Sequence, residues 1–540
     1  MRLRSGIVGA ASLILLVVVH TATFAQTPSA QAPSAESCAS LARQQLPATK
    51  ITTAEAITGG SFTPGTPGAP AGSTNVIGNL PPFCRVAGVI APTPESQILF
   101  EVWLPLDTWN SKFAGVGNGG WAGTISFGPL ADQLRRGYAT ASTNTGHEAS
   151  PGTNAAKFAF DKPEQLHDFA WRAHHETATQ AKAIVQAFYG KPAARSYFIG
   201  CSSGGYEGLM SAQRFPADYD GIVAGMPANN WTRLMAGDFD ATLAVFADAS
   251  SQLTPPVLGV LYRGALAACD ASDGVTDGVV GDPQRCRFDP STLVCTGTAN
   301  QNQAPGTCLS AAQAEAARRV YQGLKDPRTG AQLYPGLAPG SEPFWPNRDP
   351  ASPFPIPIAH YKWLVFADPN WDWKTFAFTD PADYDAHVKA EAKLAPILNA
   401  TNPDLRAFQK RGGKLIQYHG WIDQLISPQN SIDYYESVLA FLGGKNNGSQ
   451  TVSDVQSFYR LFMAPGMAHC GGGPGPNTID MMPALEQWVE HGTAPDRIIA
   501  TRSINGIVDR TRPLCPHPQL AFYKGSGDTN DAANFVCKTP

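Results

Sequence analysis

The sequence predicts an α/β fold, in which helices pack on a mainly parallel β-sheet and an inserted lid domain interrupts the chain. Two observations indicate the sheet. Short apolar segments alternate with longer segments of helical periodicity, and a glycine-rich turn joins one such strand directly to a helix. The insertion is indicated by a third observation, since this alternation stops between residues 227 and 401. The chain has 540 residues, 43% of them hydrophobic, which is enough for a large core.

The charge balance excludes several kinds of partner. The chain carries 40 Lys and Arg against 44 Asp and Glu, for a formal charge of -4. Proteins that bind nucleic acid or anionic membranes concentrate Lys and Arg on one surface, and no such block of basic residues occurs here. We therefore expect no nucleic-acid partner, while the sequence leaves the oligomeric state open.

The N-terminus has the pattern of a secretory signal peptide. Arg2 and Arg4 precede an apolar stretch at residues 7–19, and small residues then lead to Ala25. An uncleaved membrane anchor is the alternative, but about 13 apolar residues fall short of the roughly 20 that span a bilayer. We expect removal of residues 1–25, no membrane anchor afterwards, and a secreted or periplasmic protein.

All ten cysteines lie beyond this cleavage site, so disulfide bonds are expected in the exported chain. Zinc binding is the alternative, but the chain has no Cys-x-x-Cys pair. Proximity in the sequence suggests three pairs: Cys269 with Cys286, Cys295 with Cys308, and Cys515 with Cys537. Elimination leaves Cys38 with Cys84 and Cys201 with Cys470, although spacing alone does not determine connectivity.

The predicted elements begin with three strands and a long helix. Alternating apolar residues predict a strand over residues 96–104, and further strands are predicted over residues 112–116 and 137–142. Apolar residues at helical spacing predict a helix over residues 163–189 that packs on the sheet. We expect three histidines to lie on the surface of this helix rather than to bind metal: His167, His174 and His175.

The alternation continues on both sides of the predicted lid. A short strand over residues 196–199 leads through a glycine-rich turn into a helix over residues 206–215. After the lid, strands are predicted over residues 414–418 and 457–463, followed by a helix over residues 481–491.

The turn Gly200-Cys201-Ser202-Ser203-Gly204 matches the G-x-S-x-G pattern of a nucleophile elbow. Such a strained turn lifts the serine hydroxyl to the carboxyl edge of the sheet. A plain tight turn is the alternative in a glycine-rich chain, but the strand before it and the helix after it favour the elbow. We predict Ser202 as the nucleophile and the N–H of Ser203 as one donor to the oxyanion.

A second glycine-rich segment, residues 117–120, follows a predicted strand N-terminal to the elbow. A loop at this position supplies the second oxyanion donor through a backbone N–H, which we assign to Gly120. A phosphate-binding loop is the alternative, but the G-x-x-x-x-G-K-[ST] lysine is absent.

A serine nucleophile needs a general base, and in this arrangement the acid precedes the histidine in the chain. Asp423 follows the strand predicted over residues 414–418, although a turn aspartate is the alternative. His469 lies in a glycine-rich loop after the last predicted strand. Because Cys201 adjoins Ser202 and Cys470 adjoins His469, a bridge between these cysteines would hold the nucleophile and the base in register.

Asp270, Asp273 and Asp277 lie close together in a predicted disulfide loop. Carboxylates crowded in this way repel one another unless a cation offsets their charge, and hard oxygen ligands suit Ca²⁺. The carbonyls of Val275 and Val279 would add further ligands. The segment is not an EF-hand, and a solvated acidic turn is the alternative. We expect a structural calcium ion here.

Together these motifs resemble those of the tannase and feruloyl esterase family, which includes the mono-hydroxyethyl terephthalate hydrolases. The resemblance covers essentially the whole mature chain. It implies an α/β-hydrolase catalytic domain of residues 26–226 and 402–540, with the lid, residues 227–401, inserted between elbow and acid. It also implies the triad, the calcium ligands and the five cysteine pairs named above. His419 matches a position that contacts substrate in family members.

The predicted function is that of a secreted serine carboxylesterase that cleaves esters of aromatic acids through an acyl-enzyme. A small aromatic ester is the expected partner: a hydroxycinnamate (feruloyl) ester first, a gallate ester second, and a terephthalate monoester as the alternative. A serine peptidase with the same triad and a non-catalytic, calcium-stabilised binding protein are the rival functions. Four lid tryptophans would form a wall for a planar acyl group or pack within the lid: Trp345, Trp363, Trp371 and Trp373.

Overall fold

The computed structural model of the protein describes residues 33–65, 76–295, 307–346, 352–443 and 449–540, together with residues 1 and 6. The predicted signal peptide and its cleavage site otherwise lie outside these residues. Among the helices of the described ranges, none is both long enough and apolar enough to cross a bilayer.

Strands run from one end of the chain to the other. They are β1 Thr49–Ile57, β2 Phe83–Ile90, β3 Ile98–Pro105, β4 Lys112–Val116, β5 Ala139–Thr143, β6 Arg195–Cys201, β7 Gly221–Gly225, β8 Leu324–Lys325, β9 Gln332–Tyr334, β10 Lys414–Gly420, β11 Tyr459–Ala464, β12 Ile498–Ile504, β13 Ile507–Leu514, β14 Leu520–Tyr523 and β15 Phe535–Lys538. Nine of them form one mixed sheet in the order β1-β2-β3-β5-β4-β6-β7-β10-β11. The pairs from β5 to β11 are parallel and those from β1 to β5 are antiparallel. The α/β fold predicted from the sequence is therefore confirmed.

Helices cover both faces of this sheet. They are α1 Ala35–Ser40, α2 Phe127–Arg135, α3 Pro163–His167, α4 Ala173–Tyr189, α5 Ser203–Arg214, α6 Trp231–Phe246, α7 Pro255–Cys269, α8 Ala311–Gln322, α9 Pro355–His360, α10 Pro381–Leu398, α11 Arg406–Lys410, α12 Pro428–Gly443, α13 Ser449–Gln456 and α14 Met482–His491. Alternate residues of β7 serve opposite faces: Ile222 and Ala224 join the core that contains α4 and α5, whereas Val223 joins the core beneath α14. This alternation is what a strand buried on both faces requires.

The long helix predicted over residues 163–189 is present, but a π-helical turn, Asp168–Arg172, joins α3 to α4. Its predicted apolar face is buried. His174 corrects the expectation of surface histidines, because it is buried with its Nε2 3.0 Å from Glu207 Oε1. It lies four residues from both Ala170 and Ala178, so it shares their buried face, which is wider than the sequence suggested.

The predicted lid, residues 227–401, contains α6 to α10 and the two-stranded sheet of β8 and β9. None of the described residues in this range belongs to the nine-stranded sheet. The main sheet instead continues from β7 directly to β10, on the far side of the lid. The exact domain boundaries stay a prediction.

Five disulfide bonds link the cysteines in the predicted pairs: Cys38–Cys84, Cys201–Cys470, Cys269–Cys286, Cys295–Cys308 and Cys515–Cys537. No described cysteine is free. The Cys201–Cys470 bond spans the longest stretch of chain, 269 residues, and joins the end of β6 to the loop after β11.

Candidate active site

Ser202 occupies a strained turn between β6 and α5. Its φ of 66° and ψ of -122° lie where side chains other than glycine are rare. The Ser202 N–H donates to the Gly225 carbonyl oxygen at 2.9 Å, and its own carbonyl accepts from the Tyr206 N–H at 3.0 Å. A strained backbone persists only where its surroundings fix it, and here a strand and a helix both do so. The turn places Ser202 in the wall of a large cavity.

Two glycines of the elbow are required by close contacts. A Cβ atom on Gly200 would lie 2.5 Å from the carbonyl carbon of Gly204, and one on Gly205 would lie 2.2 Å from the Gly225 carbonyl oxygen. Neither position has room for a side chain. Helix α5 can therefore begin directly against β6 and β7, with its first N–H groups at the sheet edge.

Asp423 and His469 meet at the same edge of the sheet. Asp423 follows β10 and His469 follows β11, and because these strands are parallel neighbours their carboxyl ends lie side by side. His469 Nδ1 lies 3.0 Å from Asp423 Oδ1 and 2.9 Å from Oδ2. This contact orients the imidazole, and His469 and Ser202 line the same cavity.

The Asp423 carboxylate is completely buried and has several donors. The N–H groups of Leu425 and Ile426 donate to its Oδ1 at 2.9 and 3.0 Å. Burial acts to raise the pKa of Asp423, but the charge of His469 and hydrogen bonds from His419 and His469 hold that pKa well below its ordinary value. Conversely, burial acts to lower the pKa of His469, but the charge and hydrogen bond of Asp423 raise it above the ordinary histidine value. The geometry suits a base paired with an ionised acid.

His419 corrects the expectation of a substrate contact. Its side chain is completely buried and is not part of the cavity wall. Instead its Nε2 lies 3.1 Å from Asp423 Oδ2, and its Nδ1 lies 2.7 Å from Ser431 Oγ. Ser431 Oγ also accepts a hydrogen bond from Gln417 Nε2 at 2.7 Å. A buried chain of polar side chains therefore contacts Asp423 on the side away from the cavity. The sequence resemblance located this residue near the site but misjudged which way it faces.

The predicted oxyanion donors come together at the cavity. Within residues 117–120, the Gly117 N–H donates to the Ile199 carbonyl and the Asn118 N–H to Glu207 Oε2. Among the described residues no acceptor is recorded for the N–H groups of Gly119, Gly120 and Ser203, all of which line the cavity. The Ser203 hydroxyl donates to the Gly120 carbonyl at 2.6 Å, which locks the glycine loop to the elbow. Gly120, the predicted second donor, and its neighbour Gly119 therefore both have an N–H available at the cavity.

Glu207, which was not predicted from the sequence, fixes the glycine-rich loop at the cavity. It lies in α5, is buried, and holds the glycine loop through the Asn118 N–H at 3.0 Å. His174 Nε2 lies 3.0 Å from its other carboxylate oxygen. The sequence did offer a signal for this role. Glu207 is the one acid among the mostly small and apolar residues at the start of α5, and a buried carboxylate needs nearby hydrogen-bond donors.

The cavity has a volume of about 640 Å³, within the range of small-molecule sites. Its lining is mostly apolar and includes Trp231, Leu234, Met235, Ile356 and Leu425, besides the predicted catalytic residues. The Cys201–Cys470 disulfide, with its Cα atoms 5.9 Å apart, lies in the same wall and joins the chain neighbours of Ser202 and His469.

The four lid tryptophans predicted as a substrate wall do not line this cavity. Trp345 and Trp363 are buried, and their indole N–H groups donate to Ser341 Oγ and to the Thr153 carbonyl. Trp371 and Trp373 pack against lid aromatic rings, Phe366 and Phe246 respectively. Trp231, at the start of α6, is the tryptophan that does line the cavity.

The sequence matches the family described as tannase and feruloyl esterase over residues 84–352 and 356–538. This chain belongs to that family. An uncharacterized esterase of Xanthomonas campestris is 37% identical over 94% of this chain and 92% of its own length. A probable feruloyl esterase B-1 of Aspergillus oryzae is 33% identical, with 84% of each chain covered. The crystal structure of feruloyl esterase B from Aspergillus oryzae superposes with a TM-score of 0.82 at 30% identity, covering 93% of this chain and all of that one.

Membership of this family makes the chain a carboxylic ester hydrolase of the feruloyl esterase and tannase type. The triad geometry agrees with that chemistry, because a serine at an elbow, a histidine and a buried aspartate are the groups of acyl transfer.

The aspartate loop lies apart from the cavity but packs against the loop that carries His469. A Cβ on Gly466 would meet Val279 Cγ1 at 3.0 Å. Both Asp270 carboxylate oxygens accept backbone N–H groups, from Asp277 at 3.1 Å and Gly278 at 3.0 Å. Asp277 Oδ2 pairs with Arg512 at 2.7 Å, whereas the buried Asp277 Oδ1 has no hydrogen-bond partner.

Oxygen donors and an unpartnered buried carboxylate oxygen fit a hard cation such as Ca²⁺. Among the described residues, no group of three or more His, Cys, Asp or Glu side chains is arranged to hold a metal by itself. An ion in this loop would therefore also need main-chain oxygens, such as the predicted carbonyls of Val275 and Val279.

Proposed function

We propose that this chain is an exported serine esterase that cleaves hydroxycinnamate esters through an acyl-enzyme, with Ser202, Asp423 and His469 as its triad. The observation that carries the proposal is the His469 Nδ1 contact with the buried Asp423 carboxylate, in the cavity that Ser202 also lines. Five disulfides support export to an oxidising compartment.

The first half-reaction follows from this geometry. His469 Nε2 takes the hydroxyl proton as Ser202 Oγ attacks the ester carbonyl carbon, and the Asp423 charge offsets the imidazolium that forms. The N–H of Ser203 and an N–H of the glycine loop donate to the oxyanion. As the tetrahedral intermediate collapses, the bond to the alcohol oxygen breaks and His469 returns the proton to that oxygen. The acyl group stays on Ser202.

The second half-reaction uses the same groups. His469 takes a proton from water, the resulting hydroxide attacks the acyl carbonyl, and the bond to Ser202 Oγ breaks. Ser202 recovers its proton from His469, and the aromatic acid leaves. Nothing in these steps requires a metal ion at the cavity, so we assign the aspartate loop a structural role.

The choice of hydroxycinnamate rests on the relatives and on the cavity wall. The relative from Aspergillus oryzae is named a probable feruloyl esterase. Trp231, Leu234 and Met235 give the cavity a long apolar side, which suits an aromatic ring separated from its ester by a vinylene group. A gallate ester is the second candidate and a terephthalate monoester the third, because the same apolar wall also accepts a ring attached directly to the carbonyl.

For calcium, we propose binding by Asp270, Asp273 and Asp277 with the carbonyls of Val275 and Val279. The ion would neutralise the crowded carboxylates and thereby stabilise the loop packed against Gly466, in the segment that carries His469. Its role is in stability rather than in the reaction.

Hydrolysis of methyl ferulate, methyl gallate and a terephthalate monoester by the purified protein tests the proposal, with Ser202→Ala beside each ester. We expect methyl ferulate to be cleaved fastest and the variant to lose about 10⁴-fold or more in kcat. A chromogenic amide with the same acyl group tests the peptidase alternative. If folded protein cleaves none of the three esters, the esterase assignment for these acyl groups fails.

A further inference from the structure

One carboxylate in the cavity wall has no role in the triad. On α6, four residues at helical spacing face the cavity: Trp231, Leu234, Met235 and Asp238. The first three are apolar and the fourth is an acid. Asp238 is half-buried, and a substrate that fills the cavity would bury it further, which is unfavourable for a carboxylate without a partner.

The geometry of α6 gives the distance between the apolar and the acidic parts of this wall. Just before the helix, the Ala228 N–H donates to the Ser202 carbonyl oxygen at 3.2 Å, so the start of α6 is tied to the elbow. Seven residues separate Trp231 from Asp238, which places Asp238 about 10 Å further along the helix axis. Along α6 the wall therefore changes from apolar at Trp231 to acidic at Asp238.

No protein partner for this carboxylate is found in the part of the chain that the structure describes: no hydrogen bond or ion pair of the Asp238 side chain is recorded. Two other acids nearby show the ordinary situation. Asp240, two residues further along α6, pairs with Arg319, and Asp132, at another side of the cavity, pairs with Arg135 at 2.8 Å. Burial, reinforced by the charge of Asp423, raises the pKa of Asp238 well above its ordinary value, as expected of an acid without a donor.

We propose that Asp238 is a specificity-determining residue that accepts a hydrogen bond from the phenolic hydroxyl at the far end of an aromatic acyl group. The assignment rests on the proposed function. With the ester carbonyl at Ser202, the acyl chain runs along Trp231, Leu234 and Met235, and its ring hydroxyl reaches the carboxyl group. Asp238 offers a carboxyl oxygen as acceptor in either protonation state. A site that hydrogen-bonds a substrate hydroxyl discriminates strongly against the analogue that lacks it.

The test compares methyl 4-hydroxycinnamate with methyl cinnamate, which differ only in the ring hydroxyl. We expect the ratio of their kcat/KM values to fall by about ten-fold or more in Asp238→Ala, since one hydrogen bond to a carboxyl group is lost. Asp238→Asn should retain part of the ratio through its amide oxygen. Asp132→Ala, which removes a different carboxylate of the same cavity, should leave the ratio as it is. A purely structural role for Asp238 would lower both rates together.

An unchanged ratio in Asp238→Ala would overturn the inference. The inference would also fail if Asp238→Ala changed only the preference for the alcohol part of the ester. A comparison of glyceryl cinnamate with methyl cinnamate, which differ only in the alcohol, detects such a change. If the wild-type protein cleaves no aromatic ester, the proposed function fails, and the role of Asp238 has to be tested by binding instead of hydrolysis. Calorimetric binding of 4-hydroxycinnamate and cinnamate to Ser202→Ala, with and without Asp238→Ala, then decides the point. Equal affinities for the two acids would refute the role of Asp238 independently of hydrolysis.

Discussion

Removing the Cys201–Cys470 disulfide should lower kcat more than removing any of the other four disulfides. The bond closes a segment of 269 residues. In the chain-entropy treatment, a loop of that length stabilises the folded state by about 5.6 kcal/mol, an upper value because two other disulfides lie within the segment. The bond also adjoins both Ser202 and His469. A shift of about 1 Å between reacting groups lowers the rate by about 10²-fold, so we expect kcat to fall by that order in Cys201→Ala/Cys470→Ala.

The chain offers a matched control for this experiment. Cys515–Cys537 closes 22 residues near the C-terminus, which corresponds to about 3.4 kcal/mol in the same treatment. Cys515→Ala/Cys537→Ala should therefore lose stability while keeping kcat. Both variants are assayed for ester hydrolysis at a temperature where circular dichroism shows them folded, and their free energies of unfolding are measured in urea. If Cys201→Ala/Cys470→Ala keeps kcat within a factor of two of wild type, the bond does not hold nucleophile and base in register.

Three further predictions concern the base, its support and the aspartate loop. In the proposed mechanism neutral His469 is the base, and Asp423 raises its pKa, so kcat/KM should rise with pH through a midpoint above the ordinary histidine value. Asp423→Asn should move that midpoint down and lower kcat by about 10⁴-fold, as a pH–rate profile would reveal. His419→Phe removes a donor to Asp423 and should lower kcat by about ten-fold with little change in KM, while His419→Gln recovers part of the loss. Chelation by EDTA should lower the melting temperature, calcium should restore it, and Asp277→Ala should no longer respond.

Each of these has an outcome that contradicts it. A midpoint below the ordinary histidine value would mean that burial outweighs the charge of Asp423. A rise in KM without loss of kcat in His419→Phe would return that residue to the substrate site, as the resemblance implied. An unchanged melting temperature in EDTA, together with no calcium by elemental analysis, would leave the aspartate loop as a loop held by Arg512 and backbone hydrogen bonds.

Sequence patterns were sufficient where one local feature determines the outcome. The strand predicted over residues 112–116 is β4, with the same bounds, and the elbow lies where the G-x-S-x-G pattern indicated. Strand β7, Gly221–Gly225, was missed, because its five residues include two glycines and no long apolar run. The antiparallel strands β1 and β2 were missed as well. The edge strand β1 has no fully buried residue and so carries a weak apolar signal, whereas β2 lies between β1 and β3 and buries most of its residues.

Side-chain direction was the part that sequence reasoning could not supply. His419 lies four residues before Asp423, and the spacing alone does not reveal that it faces the buried side of the acid. His174 and Glu207 belong to different helices, so their pairing depends on how α4 and α5 pack on the sheet. The same holds for Trp231 and the other lid tryptophans, because tertiary packing decides which aromatic residue reaches the cavity.

The three residues of the proposed triad are held by different means, and the disulfide lies beside the one with the fewest backbone contacts. Asp423 receives two backbone N–H groups and two imidazole contacts. Ser202 is fixed between β6, β7 and α5. His469 instead lies in a loop whose glycines at 466, 471, 472 and 473 all have positive φ, and its N–H reaches only Gln424 Oε1 at 3.2 Å. The sheet and helices therefore position Asp423 and Ser202, whereas His469 is held by its contact with Asp423 and by the covalent bond beside it. Reduction of Cys201–Cys470 should accordingly release the base first and leave the oxyanion donors, which the Ser203–Gly120 hydrogen bond holds, in place.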